Sequence, residues 1–298
     1  MFHGIILISV HFAVALSWGF RGHIAISKIA YSMLHDSTIS YMSRIMGKPV
    51  GITEFAEMSV WADRVSRTGA YDWTKDLHFT RKGNSLPDFV MQQDPDCLLS
   101  SVNHFAGILL DTSDDIPSKK VPDEDALRFL IHFTGDLHAP FHIGDAEDLN
   151  GGNILVYDPL ACLVERKEPA VPSVSLHRIW DSHILKLHED RTKKKLDEIV
   201  NNLIASNQRG KISGLRGRFH RLRENESLPE LCLRTAAQSR AITKDVGLLD
   251  AKGNPIVSGA HLSRAYFDRA CPVAIEALNE AGVNLASILN RIADAKTP

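Results

Sequence analysis

The chain has 298 residues, of which 44% are hydrophobic and 23% charged, and its 34 Lys and Arg residues nearly balance its 36 Asp and Glu residues. This composition is typical of a globular protein and excludes an intrinsically disordered one. The formal net charge of −2 excludes a strongly basic surface that binds nucleic acid by releasing counterions, although bound metal ions would not enter that sum. Histidine, with 14 residues, is the one residue type whose number stands out.

Residues 1–17 contain no Asp, Glu, Lys or Arg and are mostly apolar. A run of this length is too short to span a bilayer but is typical of a signal peptide, and the small residues Ala15 and Ser17 predict cleavage before Trp18. The alternative is a buried N-terminal strand. Because no later run reaches about 18 apolar residues, we expect no membrane anchor. The sequence therefore predicts the secretory pathway, with the protein secreted or held in an endomembrane or lysosome-like compartment.

Entry into the secretory pathway makes disulfide bonds expected. The four cysteines are Cys97, Cys162, Cys232 and Cys271, and they allow three complete pairings. None lies in a Cys-x-x-Cys arrangement, which argues against a cysteine zinc site. Asn225 opens the only Asn-x-Ser/Thr sequence, so we predict that it is glycosylated.

Helical periodicity dominates the chain from Trp18 onward. Apolar residues recur at helical spacing at Ile24, Ile29, Leu34, Phe55, Met58 and Val65. The segment PDEDALRFLIHF opens with proline and three acidic residues, which favours a helix N-terminus, and Pro140 should end that helix.

The C-terminal half continues the helical pattern. Helices are predicted over residues 173–187, 194–204 and 231–242, and two amphipathic segments after residue 261 are separated by a break at Gly282. Strand signals are confined to residues 152–157. We therefore expect one mainly α-helical domain over residues 18–298 with a small β-hairpin element.

Two His–Asp pairs have the spacing of neighbours on one helical face. His132 precedes Asp136 by four residues, and His177 precedes Asp181 by four. Each pair could reach one metal ion, but chance gives roughly one such pair in a chain of this composition. The alternative is a His and an Asp that simply hydrogen-bond to each other along a helix.

The surrounding sequence strengthens the metal interpretation. Residues 132–142 read HFTGDLHAPFH and also contain His138 and His142, Gly-Gly-Asn follows at 151–153, and Trp-Ala-Asp at 61–63 and His78 lie upstream. Imidazole and carboxylate ligands without thiolate are typical of zinc sites that keep positions open for water and substrate. After cleavage, Trp18 would carry a free α-amine that a metal can deprotonate, and His23 follows it closely. The alternative is that the signal peptide ends beside a core tryptophan.

The ordered motifs WGFRGH, WAD, LHF, HFTGDLHAPFH, GGN and LHRIWD resemble the S1/P1 family of zinc-dependent nucleases, which includes fungal single-strand nucleases, plant bifunctional nucleases and protozoan nuclease/3′-nucleotidases. The resemblance runs from Trp18 to about Ile292. It implies a mainly α fold of the zinc phospholipase C and S1/P1 nuclease type. It also implies hydrolysis of single-stranded DNA and RNA to 5′-phosphate products, and release of phosphate from 3′-nucleotides.

The resemblance also implies three Zn²⁺ ions and their ligands. One ion would be held by Asp63, His78, His132 and Asp136; a second by the Trp18 amine and carbonyl, His23 and Asp136; and a third by His142, His177 and Asp181. Asp63 would in addition be the catalytic base. Three Zn²⁺ against three carboxylates would focus positive charge where a phosphate binds.

Substrate contacts follow from the same resemblance. Phe79 matches the family's base-stacking aromatic residue, with a core phenylalanine as the alternative, and Asn153 would contact phosphate or hold its loop near the metals, with a simple tight turn as the alternative. Two positions depart from the family: Ser66 stands where an arginine commonly contacts phosphate, and Arg81 where an acidic residue commonly reads the base. Arg64 or Arg67 could replace the missing arginine.

The remaining expectations concern residues outside the ligand set. His138 should be structural, and His183 and His188 should face solvent. Cys97 and Cys232 align with a family disulfide, which leaves Cys162 with Cys271. The rival functions are a zinc phospholipase C-like enzyme, in which Glu commonly replaces the ligand at Asp181, and an inactive secreted zinc-binding protein. No protein partner is evident.

Overall fold

The computed structural model describes residues 18–80, 96–112, 121–144, 152–160, 171–209, 222–223 and 225–296. The predicted signal peptide, Arg81 and Cys162 lie outside these residues. The helices are α1 (Gly19–Tyr31), α2 (Asp36–Ile45), α3 (Ile52–Ser59), α4 (Trp61–Val65), a 3-10 segment (Gly69–His78), α5 (Leu98–Leu109), α6 (Asp123–Leu137), α7 (Leu176–Arg178, a π-helical turn at Ile179–His183, and Ile184–Thr192), α8 (Leu196–Gln208), α9 (Leu228–Ile242, followed by a π-helical turn at Thr243–Gly247) and α10 (Arg264–Lys296). The strands are β1 (Leu155–Val156) and β2 (Val174–Ser175). The expectation of a mainly helical fold with a small β element is confirmed.

Helix α6 lies at the centre of the fold and carries two of the predicted ligands. It begins with three acidic residues, which interact favourably with the positive end of the helix dipole, and it ends at Leu137, before Pro140. Its Phe129 ring stacks on Phe105 of α5 at 4.9 Å between centroids and on Phe133 at 5.5 Å. Because these aromatic rings are fully buried, they fix the position of α6 against α5 and hold its ligand-bearing turn in place.

Helices α1 and α10 pack closely through Gly282, and the predicted helix break at this residue is wrong. The last helix runs without interruption from Arg264 to Lys296. A Cβ atom at Gly282 would lie 2.6 Å from Cγ2 of Ile29 and 3.0 Å from the carbonyl oxygen of Ile26. The glycine therefore serves close helix packing rather than chain reversal.

The two strands form an antiparallel pair in which Leu155 lies opposite Ser175 and Val156 opposite Val174. The prediction of a helix beginning at residue 173 was therefore too early by three residues. The Ser175 hydroxyl accepts a hydrogen bond from the Arg178 backbone N–H, which caps the helix that starts at Leu176. The strand pair thereby fixes the start of the helix that bears His177 and Asp181.

Among the described residues, the expected disulfide bonds are not formed. Cys97, Cys232 and Cys271 are all free and buried, which overturns the pairing of Cys97 with Cys232 and that of Cys271 with Cys162. The Cys97 thiol instead lies 3.5 Å from the Ser100 hydroxyl, and that of Cys271 lies 3.8 Å from the Ile184 carbonyl oxygen. Burial raises the pKa of the Cys232 thiol to about 12, so this thiol is held protonated among apolar side chains.

Among the described residues, no helix is both long and apolar enough to cross a membrane. Asn225 is exposed, as the predicted glycosylation requires. The serine of its sequence motif, Ser227, caps α9 by accepting a hydrogen bond from the Glu230 backbone N–H. The motif therefore lies at an accessible helix start.

A candidate metal centre

Three groups of buried side chains bring potential ligand atoms within 4.8 Å of one another in the described part of the chain. They are His23 with His132 and Asp136; Asp63 with His78 and His132; and His142 with His177 and Asp181. These groups contain every His and Asp that the sequence predicted as a ligand. The structure therefore brings together side chains from α1, α4, the 3-10 segment, α6, the turn after α6, and α7.

The first two groups merge around Asp136. One carboxylate oxygen of Asp136, Oδ1, lies 3.2 Å from Nε2 of His23. The other, Oδ2, lies 2.9 Å from Nδ1 of His78 and 3.4 Å from Nε2 of His132. Asp63 approaches the same imidazoles from α4, with Oδ1 at 3.9 Å from His78 and 3.7 Å from His132. Asp136 thus has one oxygen for each group, which is the arrangement a bridging carboxylate needs.

The third group is smaller and is built around α7. Asp181 Oδ2 lies 3.1 Å from Nε2 of His177, and Oδ1 lies 3.7 Å from Nε2 of His142. The two imidazole Nε2 atoms are 3.2 Å apart. Asp181 occupies the π-helical turn, a local widening that occurs often at functional sites.

Backbone carbonyl groups orient two of the imidazoles. His132 Nδ1 donates a hydrogen bond to the Ser59 carbonyl oxygen at 2.6 Å, and His142 Nδ1 donates one to the His78 carbonyl oxygen at 2.7 Å. A neutral imidazole that donates through Nδ1 has an unprotonated Nε2, so Nε2 of each ring presents its lone pair to the other members of its group. This is the usual outer hydrogen bonding of a metal-binding histidine.

The donor set and its spacing fit zinc. Zinc–nitrogen and zinc–oxygen bonds of about 2.0–2.1 Å in a tetrahedron place neighbouring ligand atoms about 3.3 Å apart, and the observed separations range from 2.9 to 3.9 Å. Oδ2 of Asp63 is buried without a hydrogen-bond partner among the described residues, which is costly unless another group satisfies it. Nitrogen and oxygen donors without sulfur are ligands that zinc accepts.

The pKa shifts of His132, Asp136 and Asp181 favour their charged forms, whereas burial and the neighbouring His132 lower the pKa of His23. Burial opposes protonation of His132, yet the Asp136 and Asp63 carboxylates outweigh burial and raise its pKa to about 9. Burial likewise opposes ionisation of Asp136, but His132, His23 and His78 hold its pKa well below the usual range. Asp181 follows the same pattern: burial opposes its charge, and His177 and His142 lower its pKa. A cation at these positions would replace the protons that the carboxylates otherwise attract.

Trp18 lies against the first group. Its side chain is 1% exposed, and its indole Nε1 donates a hydrogen bond to the Gly135 carbonyl oxygen at 3.0 Å. Gly135 also passes close to His23, because a Cβ atom there would lie 2.9 Å from Nδ1 and Cε1 of the imidazole. The N-terminus of α1 is therefore packed against the turn of α6 that bears Asp136, while the role of the Trp18 amine stays a prediction.

The two predicted substrate residues lie on the side of the third group. Phe79 is half-buried and stacks on His142, with 4.6 Å between ring centroids and 27° between ring planes. Asn153 is exposed and follows Gly152, whose φ of +73° and close approach to Phe141 leave no room for a Cβ atom. A Cβ at Gly152 would lie 2.5 Å from Phe141, the residue before His142. The same Cβ would lie 3.3 Å from the His177 backbone nitrogen, so the glycine lets this loop approach the third group.

The other singled-out residues have structural surroundings. His138 is buried between the Thr134 carbonyl oxygen, 2.8 Å from its Nδ1, and the Asn284 amide, 2.9 Å from its Nε2, as expected of a structural residue. His183 and His188 are partly buried rather than solvent-facing, and His183 lies 3.4 Å from Asp158. Ser66 is buried and donates a hydrogen bond to the Asp63 carbonyl oxygen. The sequence did not predict that the Ser59 and His78 carbonyl groups orient the His132 and His142 imidazoles. Every residue has a backbone carbonyl group, so the residue type does not indicate which one accepts a hydrogen bond.

The site thus consists of three buried His/Asp groups in a mainly helical fold, two of them sharing His132, and each group could hold a metal ion. The chain belongs to the S1/P1 nuclease family, whose sequence profile matches residues 18–294.

Known proteins of similar sequence are nucleases. Endonuclease 3 of Arabidopsis thaliana is 27% identical over 287 residues, which cover 95% of this chain and 91% of the relative. Nuclease S1 of Aspergillus oryzae is 24% identical over 283 residues, which cover 93% of this chain and 92% of the relative. Nuclease P1 of Penicillium citrinum is 31% identical over 139 residues, which cover 46% of this chain and 50% of the relative. Family membership supports a nuclease over the phospholipase alternative.

Proposed function

We propose that the protein is a zinc-dependent endonuclease that hydrolyses phosphodiester bonds of single-stranded DNA and RNA to 5′-phosphate products and also releases phosphate from 3′-nucleotides. The observation that carries the proposal is the merging of the first two ligand groups through Asp136 beside a third group of His142, His177 and Asp181. Cleavage before Trp18 would leave a mature protein of residues 18–298 with a glycan at Asn225. The secretory pathway would then secrete it or deliver it to an endomembrane or lysosome-like compartment.

Three Zn²⁺ ions would be held by the Trp18 amine and carbonyl, His23, Asp63, His78, His132, Asp136, His142, His177 and Asp181. When bound, they supply activation of water near neutral pH and neutralisation of the charge that develops on the phosphate. The protein's own contribution is to hold the ligand atoms in place through the Ser59 and His78 carbonyl groups and to exclude solvent from them.

Asp63 is the general base in this proposal. Its Oδ1 faces His78 and His132, whereas its buried Oδ2 has no hydrogen-bond partner among the described residues. Oδ2 is therefore available to take a proton from the attacking water. Attack in line with the P–O3′ bond then leaves the phosphate on the 5′ side of the following nucleotide and a free 3′-hydroxyl on the leaving strand.

Phe79 would position the substrate by stacking on a base. Its ring is held by His142, whose Nδ1 is in turn fixed by the His78 carbonyl oxygen. Base stacking on an aromatic ring is available to unpaired bases but not to bases within a duplex, so this contact favours single strands. Asn153 would act nearby, at the exposed loop after Gly152.

The test is release of acid-soluble nucleotides from single-stranded DNA and RNA by the zinc-loaded mature protein. We expect release that a chelator abolishes, that Asp63→Asn lowers by a hundredfold or more, and that leaves 5′-phosphate ends. Asp72→Asn is the matched control, because Asp72 is an exposed aspartate on the neighbouring 3-10 segment that pairs with Lys75. Bound zinc without hydrolysis of either nucleic acid, or products with 3′-phosphate ends, would overturn the proposal.

A further inference from the structure

An exposed aromatic–arginine pair connects α1, which carries His23, with α4, which carries Asp63. Phe20 is 39% exposed, although it follows the fully buried Trp18 by only two residues. The guanidinium carbon of Arg64 lies over the Phe20 ring, 5.5 Å from its centroid. Phe20 belongs to α1 and Arg64 to α4, where it directly follows Asp63. The pair therefore lies at the rim of the cluster, on the side of the first two ligand groups.

The position of α1 places this pair beside the metal ligands rather than on a remote surface. Trp18 donates its indole hydrogen bond to Gly135, next to Asp136. A Cβ atom at Gly19 would lie 3.0 Å from the Ser182 hydroxyl and 3.5 Å from the Asp181 carbonyl oxygen. The residues immediately before Phe20 are thus packed between the two turns that bear Asp136 and Asp181.

Arg64 is held in place but stays accessible. Its Nη1 lies 2.6 Å from Oε2 of Glu57, and its side chain is 50% exposed. A guanidinium has five N–H donors in a planar fork, so one ion pair with Glu57 leaves donors for a phosphate. Ser66, in contrast, is buried and turned toward the Asp63 carbonyl oxygen. Of the two residues, only Arg64 offers a cation at this rim.

We propose that Phe20 and Arg64 bind one nucleotide of a single strand, with the Phe20 ring stacking on the base and Arg64 contacting the adjoining phosphate. Aromatic rings for bases together with arginines for the backbone are the general means of holding single strands. Phe79 is a separate aromatic residue of the site, in contact with the His142 and His177 rings of the third group. A strand that contacted both Phe20 and Phe79 would then have two stacked bases. This inference rests on the proposed nuclease function.

The test measures binding of a fluorescein-labelled oligothymidylate with phosphorothioate linkages to the zinc-loaded mature protein by fluorescence anisotropy. We expect Phe20→Ala and Phe20→Leu to weaken binding by between about fivefold and a hundredfold, and Phe20→Tyr to retain it, because tyrosine keeps the ring. On a strand of equal length that lacks bases, the Phe20→Ala effect should disappear. Val257→Ala, which truncates another exposed apolar side chain, is the matched control.

Arg64→Gln tests the phosphate contact separately. We expect weaker binding and a smaller salt dependence, with the slope of log affinity against log salt reduced by about 0.7, the value for one phosphate contact on a single strand. Arg44→Gln is the matched control, because Arg44 also lies over an aromatic ring, that of Tyr41 at 5.4 Å, but on α2. Its salt slope should equal that of the wild type.

Hydrolysis of the unmodified oligothymidylate by the wild type, followed in parallel, separates two kinds of failure. If the wild type binds and cleaves but Phe20→Ala binds the normal and the abasic strand as the wild type does, the Phe20–Arg64 position is refuted and the nuclease function stands. If the wild type neither binds nor cleaves, both proposals are refuted.

Discussion

Substitution of Gly135 by alanine should weaken metal binding more than it weakens the fold. Gly135 lies in α6 directly before Asp136, and its missing side chain makes room for His23. A Cβ atom would lie 2.9 Å from two atoms of the His23 ring, whereas ordinary contacts begin at about 3.4 Å. The ring has little room to retreat, because it stacks on His132 at 4.0 Å. It must therefore shift by about half an ångström, which is the tolerance within which a binding constellation has to be held.

The two effects of this substitution differ in size. Overpacking costs about 1–3 kcal/mol, and replacing glycine in a helix interior returns about 1 kcal/mol, so the free energy of unfolding of the metal-free protein should fall by roughly 0–2 kcal/mol. The affinity for zinc should fall by about 10–100-fold, as it does when the surroundings of a metal ligand are disturbed. In free energy this loss is about 1.4–2.7 kcal/mol.

Zinc affinity is measured by competition with a chromophoric chelator, and stability by thermal unfolding of the chelator-treated protein. Gly69→Ala is the control, because a Cβ atom there meets nothing within 4 Å and its backbone requires no glycine. A Gly135→Ala protein that binds zinc as tightly as the wild type would refute the placement of His23 as a ligand.

Three further predictions follow from other contacts. A mature protein with one extra residue before Trp18 should bind one zinc fewer by elemental analysis and lose most activity; three zinc ions in that protein would show that the amine is not a ligand. Gly152→Ala should lower the free energy of unfolding by about 1–3 kcal/mol in urea titrations, because φ is +73° and Phe141 lies 2.5 Å from the new Cβ; an unchanged midpoint would contradict this. The hydrogen bond that Arg234 donates to Glu226 lowers the pKa of this carboxyl group in the folded protein below its ordinary 4.5. The stabilisation that this ion pair gives to the folded protein is therefore complete above pH 4.5, and it is lost as the pH falls through the folded-state pKa. Glu226→Gln should therefore be less stable than the wild type at pH 7, with a gap that narrows in acid; a gap that is constant with pH would argue against the ion pair.

The ligand residues could be predicted because their residue types and the order of their motifs can be recognised without knowing how the chain folds. The His132 and Asp136 pair follows from helical spacing, and the start of α6 follows from its three acidic residues. The meeting of His23 with Asp136 does not follow from spacing, because it depends on how α1 packs against α6. Only the family resemblance placed these two residues together.

Local patterns misled where a tertiary contact decided the outcome. Gly282 has the local signature of a helix break, yet Ile29 of α1 occupies the space that a side chain would need. Val174 and Ser175 fit a helical pattern, yet pairing with β1 draws them into a strand. The disulfide pairing that the family resemblance implied was also wrong, because Cys97, Cys232 and Cys271 are all free.

The packing of α1 against α10 bears on when the protein can become functional during its synthesis. All side-chain ligands have been synthesised once Asp181 is made, but α1, which carries His23, is packed through Ile29 against Gly282 in α10. That helix comprises 33 residues and ends at Lys296. A chain in which α10 has not yet been made therefore lacks the element that seats His23, and the first ligand group cannot be completed before α10 has been synthesised.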